Sequence, residues 1–317
     1  MKFDTWLFPQ PTFELALLLF LNFSTPLLAQ APVSGGPNEI QLEKGAHNFG
    51  VAFSQSAPGG FRFTTLDVPG ATLTRGTGIN ARGEVAGSYL DTSGVFHGFV
   101  YDTSGFHTID FPGGNGTIAE MANDLNETVG FYGGSGDNDD GFVSQGKHFR
   151  TVNFPGALST ELYGINDAQE IVGVYNGSDL VNHGFGVKTG QFTKIDVPGA
   201  SETDPFGINE CGDIVGLYID SGGVAHGFVL SHGTFTTVDF PGAGNTYARG
   251  INSQHQIVGW YVMHGIVRGF LATNQVFTTV DFPGATFTKA RGINARGEIT
   301  GSYNDAAGVE HGFVATK

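Results

Sequence analysis

From residue 61 onward, apolar residues come in short runs of about five, cut off by Gly, Pro or Asn before an amphipathic helix could develop. Phenylalanines set the phase. Phe63, Phe106, Phe149, Phe192, Phe235 and Phe277 are spaced by 43, 43, 43, 43 and 42 residues, which marks an internal repeat. Each opens a strand such as Phe235-Thr236-Thr237-Val238-Asp239-Phe240. A Pro-Gly pair, from Pro69-Gly70 to Pro283-Gly284, ends the strand in all six copies, and a Thr stands four residues beyond that Gly (Thr74, Thr117, Thr160, Thr203, Thr246, Thr288). Gly-Ile-Asn comes next, as in Gly78-Ile79-Asn80 and Gly292-Ile293-Asn294, and becomes Met121-Ala122-Asn123 in the second copy. Asn80-Ala81-Arg82-Gly83 fits a type I turn, with Asn at the first position and Gly at the last. Runs like Ile257-Val258-Gly259-Trp260-Tyr261 and His226-Gly227-Phe228-Val229-Leu230 complete the unit, which therefore holds four short strands.

Four antiparallel strands in about 43 residues predict one propeller blade. A β-solenoid is the alternative, but its coils are usually shorter and form no hairpins. The expected fold is all-β, a six-bladed β-propeller of four-stranded blades over residues 61–317. Gly-Ile-Asn is expected to start the innermost strand of each blade, and the Phe-Thr-Thr-Val-Asp-Phe strand to lie outermost. The last copy runs out at His311-Gly312-Phe313-Val314-Ala315-Thr316-Lys317 without its outer strand, whereas Phe63 to Val68 is an outer strand with no blade before it. Pairing the two would close the ring and hide two strand edges.

Fifty Gly with 28 Phe fits many tight turns between aromatic-rich strands. The N-terminus reads as an export signal over 1–31: Lys2, an apolar run from Phe13 to Phe23, and Ala29-Gln30-Ala31 for cleavage. Cleavage after Ala29 is the close alternative, because Pro32 follows Ala31. Glu14 and Asn22 interrupt the apolar run, which is shorter than the roughly 20 residues of a bilayer-spanning helix. A secreted, periplasmic or extracellular location is expected, with no membrane span after cleavage. Residues 32–60 lack the repeat and form an N-terminal arm. A net charge of −15 repels phosphate backbones, so nucleic acid is not expected as a partner. The single Cys211 leaves the fold without an intramolecular disulfide, so the core alone must hold it.

The string Gly-Ile-Asn-x-x-Gly-x-Ile-Val-Gly-x-Tyr followed by His-Gly-Phe resembles the extracellular bacterial repeat family named for its His-Ala-Phe motif, with Gly for Ala in the triplet. The resemblance covers nearly all of residues 61–317. It implies an exported bacterial protein and carries over no reaction, cofactor, ligand or catalytic residue.

Histidine precedes Gly-Phe at His97, His183, His226 and His311, with Asp140 and Arg268 in the other two copies. A metal ring is the tempting reading. Third-strand residues, however, lie roughly 9 to 10 Å outward of the innermost strand, whereas ligands to one ion must reach within about 2.1 Å of it. The expected role is instead a hydrogen bond to an outer-strand carboxylate among Asp67, Asp110, Asp196, Asp239 and Asp281. The second-strand glycines (Gly87 to Gly301) and the tyrosines two places on (Tyr89 to Tyr303) read as blade-to-blade packing, Gly making room for an aromatic ring. Asp137-Asn138-Asp139-Asp140-Gly141 only partly matches a calcium loop, with Lys147 near where the bidentate Glu should be. Cys211 has no evident activating His. No catalytic set, cofactor motif or metal site emerges.

The longer loops, between strands two and three and between blades, share one face, which defines the expected binding face. Entering the innermost strand there, the residues one and three before the Gly-Ile-Asn glycine differ in every copy. They are Arg75 and Thr77, Ile118 and Glu120, Glu161 and Tyr163, Asp204 and Phe206, Tyr247 and Arg249, Lys289 and Arg291. Alternation predicts that both members of each pair point the same way. Basic residues come from blades five, six and one, and Glu120, Glu161 and Asp204 from two, three and four, so the mouth should have one basic and one acidic side. The candidate ligand-binding residues are Arg75, Glu120, Glu161, Tyr163, Asp204, Phe206, Tyr247, Arg249, Lys289 and Arg291. The sequence thus points to an exported, monomeric, non-catalytic module binding a glycan, peptide or protein at the channel mouth. The alternatives are a hydrolase or lyase acting on polysaccharide through Glu120, Glu161 or Asp204, which would need carboxylates roughly 5 to 9.5 Å apart, and a purely structural surface protein.

Overall fold

The computed structural model describes residues 54–56, 60–134 and 138–317. The export signal, most of the arm and Asp137 of the acidic loop lie outside the described residues. Six antiparallel sheets stand in a ring. Blade one runs outward from the axis through Leu73–Ile79, Val85–Leu90, Phe96–Asp102 and Gly105–Ile109. The other innermost strands are Thr117–Ala122, Ser159–Ile165, Glu202–Ile208, Asn245–Ile251 and Phe287–Ile293. Blade six takes its fourth strand from Arg62–Leu66, which pairs with Glu310–Thr316 in the register Phe63↔Ala315 and Thr65↔Phe313. Ser54–Ser56 then adds a fifth strand outside it. One expectation is corrected: Gly-Ile-Asn does not start the innermost strand. The strand begins soon after the Pro-Gly loop and ends on Gly-Ile, and the Asn opens the turn beyond.

That Asn closes the ring. Each of the six donates one amide hydrogen to the backbone carbonyl of the next blade's Asn: Asn80 to Asn123, then Asn166, Asn209, Asn252, Asn294 and back to Asn80, at 3.0–3.4 Å. The second amide hydrogen goes to the acidic or amide side chain four residues on, as Asn209 to Asp213 at 3.1 Å. The side-chain oxygen caps the turn by accepting from backbone N–H groups, for Asn209 those of Cys211 and Asp213, both at 2.9 Å. All six Asn are buried, and every hydrogen-bonding site of Asn209 is matched.

Glycine sets how near the axis the strands come. A Cβ at Gly250 would stand 2.7 Å from the Arg291 carbonyl and 3.1 Å from the Gly292 Cα, inside the neighbouring strand. The second-strand glycine makes room for a ring, as expected, and the ring is the Phe of His-Gly-Phe. Phe99, Phe142, Phe185, Phe228, Phe270 and Phe313 are all fully buried, and a Cβ at Gly216 would stand 2.8 Å from the Phe228 ring. Burying each such side chain contributes about 1.5–3 kcal/mol. The tyrosines stack on the residue before Pro-Gly where it is Phe, Tyr303 on Phe282 at 3.5 Å and Tyr132 on Phe111 at 3.6 Å. The repeated Thr pins the Pro-Gly loop: its hydroxyl accepts from the N–H six residues earlier in all six copies, at 3.0–3.1 Å.

Asn209→Ala removes one of the two bonds to the buried Asn252 carbonyl, which keeps the His255 N–H, and leaves the N–H groups of Cys211 and Asp213 without partners. It should lower unfolding free energy by about 1–3 kcal/mol, read as a fall in urea midpoint at unchanged slope.

Candidate functional site

The outer rim of the loop face is built from the His-Gly-Phe histidines, and each is held by carboxylates of its own sheet. Nδ1 faces the outer-strand residue: His311 to Asp67 at 2.8 Å, His97 to Asp110 at 3.0 Å, His226 to Asp239 at 2.7 Å and His183 to Asp196 at 3.5 Å. Nε2 faces an Asp in the loop between strands two and three: Asp91, Asp179, Asp220 or Asp305, at 3.1–3.5 Å. In blade five Arg268 pairs with Asp281, and in blade two Asp140 accepts from Asn153. The histidines therefore tie loop to outer strand. Their rings also stack on the tyrosines, at 5.0–5.3 Å between centroids.

The site lies at the axis. Every innermost strand carries a β-bulge one residue before the Gly-Ile position, between Gly76/Gly78, Ala119/Met121, Leu162/Gly164, Pro205/Gly207, Ala248/Gly250 and Ala290/Gly292. A bulge adds an unpaired residue and breaks the alternation of faces. The extra residues are Thr77, Glu120, Tyr163, Phe206, Arg249 and Arg291, and all six line the throat. The expectation that the two positions of each pair share one direction is therefore corrected. Residues three before the glycine form a second tier against the preceding blade. Arg75 pairs with Glu310 of blade six at 2.7 Å, and Asp204 accepts from Asn182 of blade three at 3.5 Å.

Blades two and five face each other in a ring of six. Across that diameter Arg249 donates to Glu120 at 3.1 Å, with both side chains 9 % exposed. The Arg249 guanidinium lies 3.9 Å over the Phe206 ring and 5.0 Å from that of Tyr163. This bridge spans the throat, which holds a cavity of about 40 Å³.

The charge segregation expected from the sequence is present. On the acidic side burial, then Asp139, Asp204 and Glu120, push Glu161 up to about 8, although the Tyr163 hydroxyl donates to it. Burial and Glu202 push Asp204 up to about 7, and its Oδ1 is enclosed without a partner. On the basic side burial, then Arg249 and Arg75, lower Arg291 to about 10, and its Nε is enclosed and unpartnered. Burial also raises Glu120, against the pull of Arg249 and Arg291. Burial would raise Glu310 too, but Arg75, Arg291 and Ser302 together outweigh it and the net shift is downward.

Trp260 belongs to the site and was not among the candidates. Its indole stacks on Tyr247 at 5.2 Å, and Arg249, Lys289 and Arg291 lie 5.3–5.9 Å from its ring. The signal existed: between the repeating Gly and Tyr of strand two stand Ser88, Phe131, Val174, Leu217, Trp260 and Ser302, different in nearly every copy. Each is the cross-strand partner of a second-tier residue, as Trp260 is of Tyr247. On the opposite face, between blades three and four, is a more open hollow of about 470 Å³ lined by Glu170, Lys188, Glu210, Cys211, Asp213 and His232. Its Lys188 and Glu170 are paired with each other.

No family model and no curated protein matches the sequence. Solved structures do match in fold. A mutant of AofleA from Arthrobotrys oligospora superposes with a TM-score of 0.55 at 14% identity, covering 83% of this chain and 89% of that one. A TolB candidate from Agrobacterium tumefaciens gives 0.55 at 12% identity, covering 79% and 92%. The β-propeller domain of the Trilobed protease from Pyrococcus furiosus gives 0.52 at 8% identity, covering 83% and 88%. That domain is described as having an open velcro topology, whereas here Arg62–Leu66 closes the ring. At these identities the likeness is one of fold.

Glu161 holds a proton in the folded chain that an ordinary Glu, at 4.5, releases. Its contribution to stability is therefore full below about 4.5 and lost as pH rises through about 8. Compared with the parent, Glu161→Gln should gain stability steadily as urea unfolding is repeated from pH 5 to pH 9.

Proposed function

We propose that the protein is an exported binding module that holds a glycan, peptide or protein ligand at the mouth of the propeller. One observation carries this reading. The six bulge positions are free of the scaffold's repeating demands, and they bring different charged and aromatic side chains to one place. Polar atoms enclosed there, Arg291 Nε and Asp204 Oδ1, lack partners, and such atoms in a native fold call for an explanation. The 40 Å³ throat admits a small group of the ligand, so most of the ligand rests on the surrounding mouth. Export rests on the N-terminal signal and on the resemblance to an extracellular repeat family.

Binding without turnover fits the way the carboxylates are engaged, Glu120 by Arg249 and Glu161 by Tyr163. The hydrolase reading has one observation of its own: Glu161 near 8 and Asp204 near 7 are poised to trade protons at neutral pH.

Thermal unfolding of the full chain against panels of oligosaccharides and peptides tests the assignment. A ligand at a hundredfold excess over its dissociation constant stabilises by about 2.7 kcal/mol. The shift should vanish in Trp260→Ala and persist in Lys188→Ala. The reverse pattern would move the site to the hollow on the opposite face, and release of product from a bound saccharide would favour the hydrolase.

A further inference from the structure

We infer that the throat receives a single carboxylate, carried by a hexuronic acid residue of the ligand. This rests on the mouth being the binding site, and it names the chemistry recognised there. The first ground is a count of charges. Three guanidiniums meet around the throat. Arg75 is matched by Glu310 at 2.7 Å and Arg249 by Glu120 at 3.1 Å. Arg291 has neither carboxylate to itself, and its Nε is enclosed with no partner. A buried charge of this kind is costly unless a counter-charge arrives.

Size selects the counter-charge. A cavity of about 40 Å³ holds about three water-sized atoms. A carboxylate has three heavy atoms, whereas sulfate and phosphate have five. The guanidinium fork also matches a planar carboxylate with two parallel hydrogen bonds. The acidic half of the mouth opposes this attraction less than its formal charge implies, because burial raises Glu161 to about 8 and Asp204 to about 7. Beside Arg291 stand the stacked, half-buried rings of Tyr247 and Trp260. A pyranose has a flat C–H face that packs on such a pair, and an aromatic wall with one oriented polar anchor is the usual make-up of a small-molecule site. An extended acidic peptide chain has no comparable flat face.

Titration calorimetry on the full chain is the test, with glucuronate and galacturonate, their methyl esters, and a glutamate-containing dipeptide as probes. The free acids should bind, and the esters should bind about tenfold or more weakly, since a hydrogen bond to a charged group is worth about that factor. Arg291→Gln should reduce affinity for the acids by a similar factor without affecting the esters. Because it removes an unmatched buried charge, it should not lower the thermal midpoint. Arg291→Lys keeps the charge but not the fork, and should fall between the two. Equal binding of acids and esters, insensitive to Arg291→Gln but lost in Trp260→Ala, would overturn the carboxylate inference and leave the mouth reading standing. Binding of the dipeptide but not the uronates would overturn the sugar assignment. A saccharide shift that survives Trp260→Ala would remove the mouth reading, and this inference with it.

Discussion

Six strands meet this closely around one axis because five of them carry no side chain at the contact and the sixth carries only the flexible Met121. At the Gly-Ile-Asn position a Cβ would enter the backbone of the neighbouring strand, so the glycine is a condition of the ring's radius. Once the backbones are that close, the following Asn reaches the next blade's carbonyl, and six such bonds run head to tail without a gap. A ring made this way has no weak seam at the axis. The one seam left is at the circumference, where the last blade borrows Arg62–Leu66, and there Phe63 is buried between Phe282 and Phe313 at 5.2 and 5.3 Å. Met121 stands in place of the glycine in blade two, so five glycines and one flexible thioether suffice.

The same closeness produces the throat. Strands that converge this tightly have no room for regular pairing to the end, and each relieves it with a bulge just before the glycine. The residue extruded there has no cross-strand partner, so the scaffold places no demand on its identity. The Asn and the buried Phe recur in all six copies, whereas identity varies freely here. Chemistry accumulates where the fold is indifferent.

Much of this architecture was legible in the chain. The spacing of six phenylalanines, the Pro-Gly pairs and the orphan strand Phe63 to Val68 were enough for blade number, strand number and closure. The partnership of His97, His226 and His311 with outer-strand Asp was legible because both residues repeat in step. Their second partners, Asp91, Asp220 and Asp305, each stand six residues before the histidine, but that recurrence lies in loops, where the eye follows length more than identity. The bulge was not legible. It changes direction without changing spacing, so Arg249 and Tyr247 looked equivalent in sequence and belong to different tiers in space. Nor could a linear reading pair Glu120 with Arg249, because their contact arises only when the two blades on either side bring them across a diameter.

Repeated ion pairs and unrepeated ones have different weights here. The His–Asp pairs of the outer rim are largely open to water, where such pairs contribute at most about 1 kcal/mol. Accordingly blade five exchanges the histidine for Arg268 and blade two for Asp140 without disturbing the sheet. The Arg249–Glu120 pair is only 9 % exposed, and removing one member of a buried pair costs about 3–5 kcal/mol. Arg249 and Glu120 are therefore fixed by each other, while Arg291, with the same surroundings and no carboxylate of its own, is kept at a cost to stability that no repeat demands. A scaffold able to place Thr at the equivalent position of blade one has no structural need of an arginine in blade six. The carboxylate ligand proposed above would supply a reason for that arginine from outside the fold.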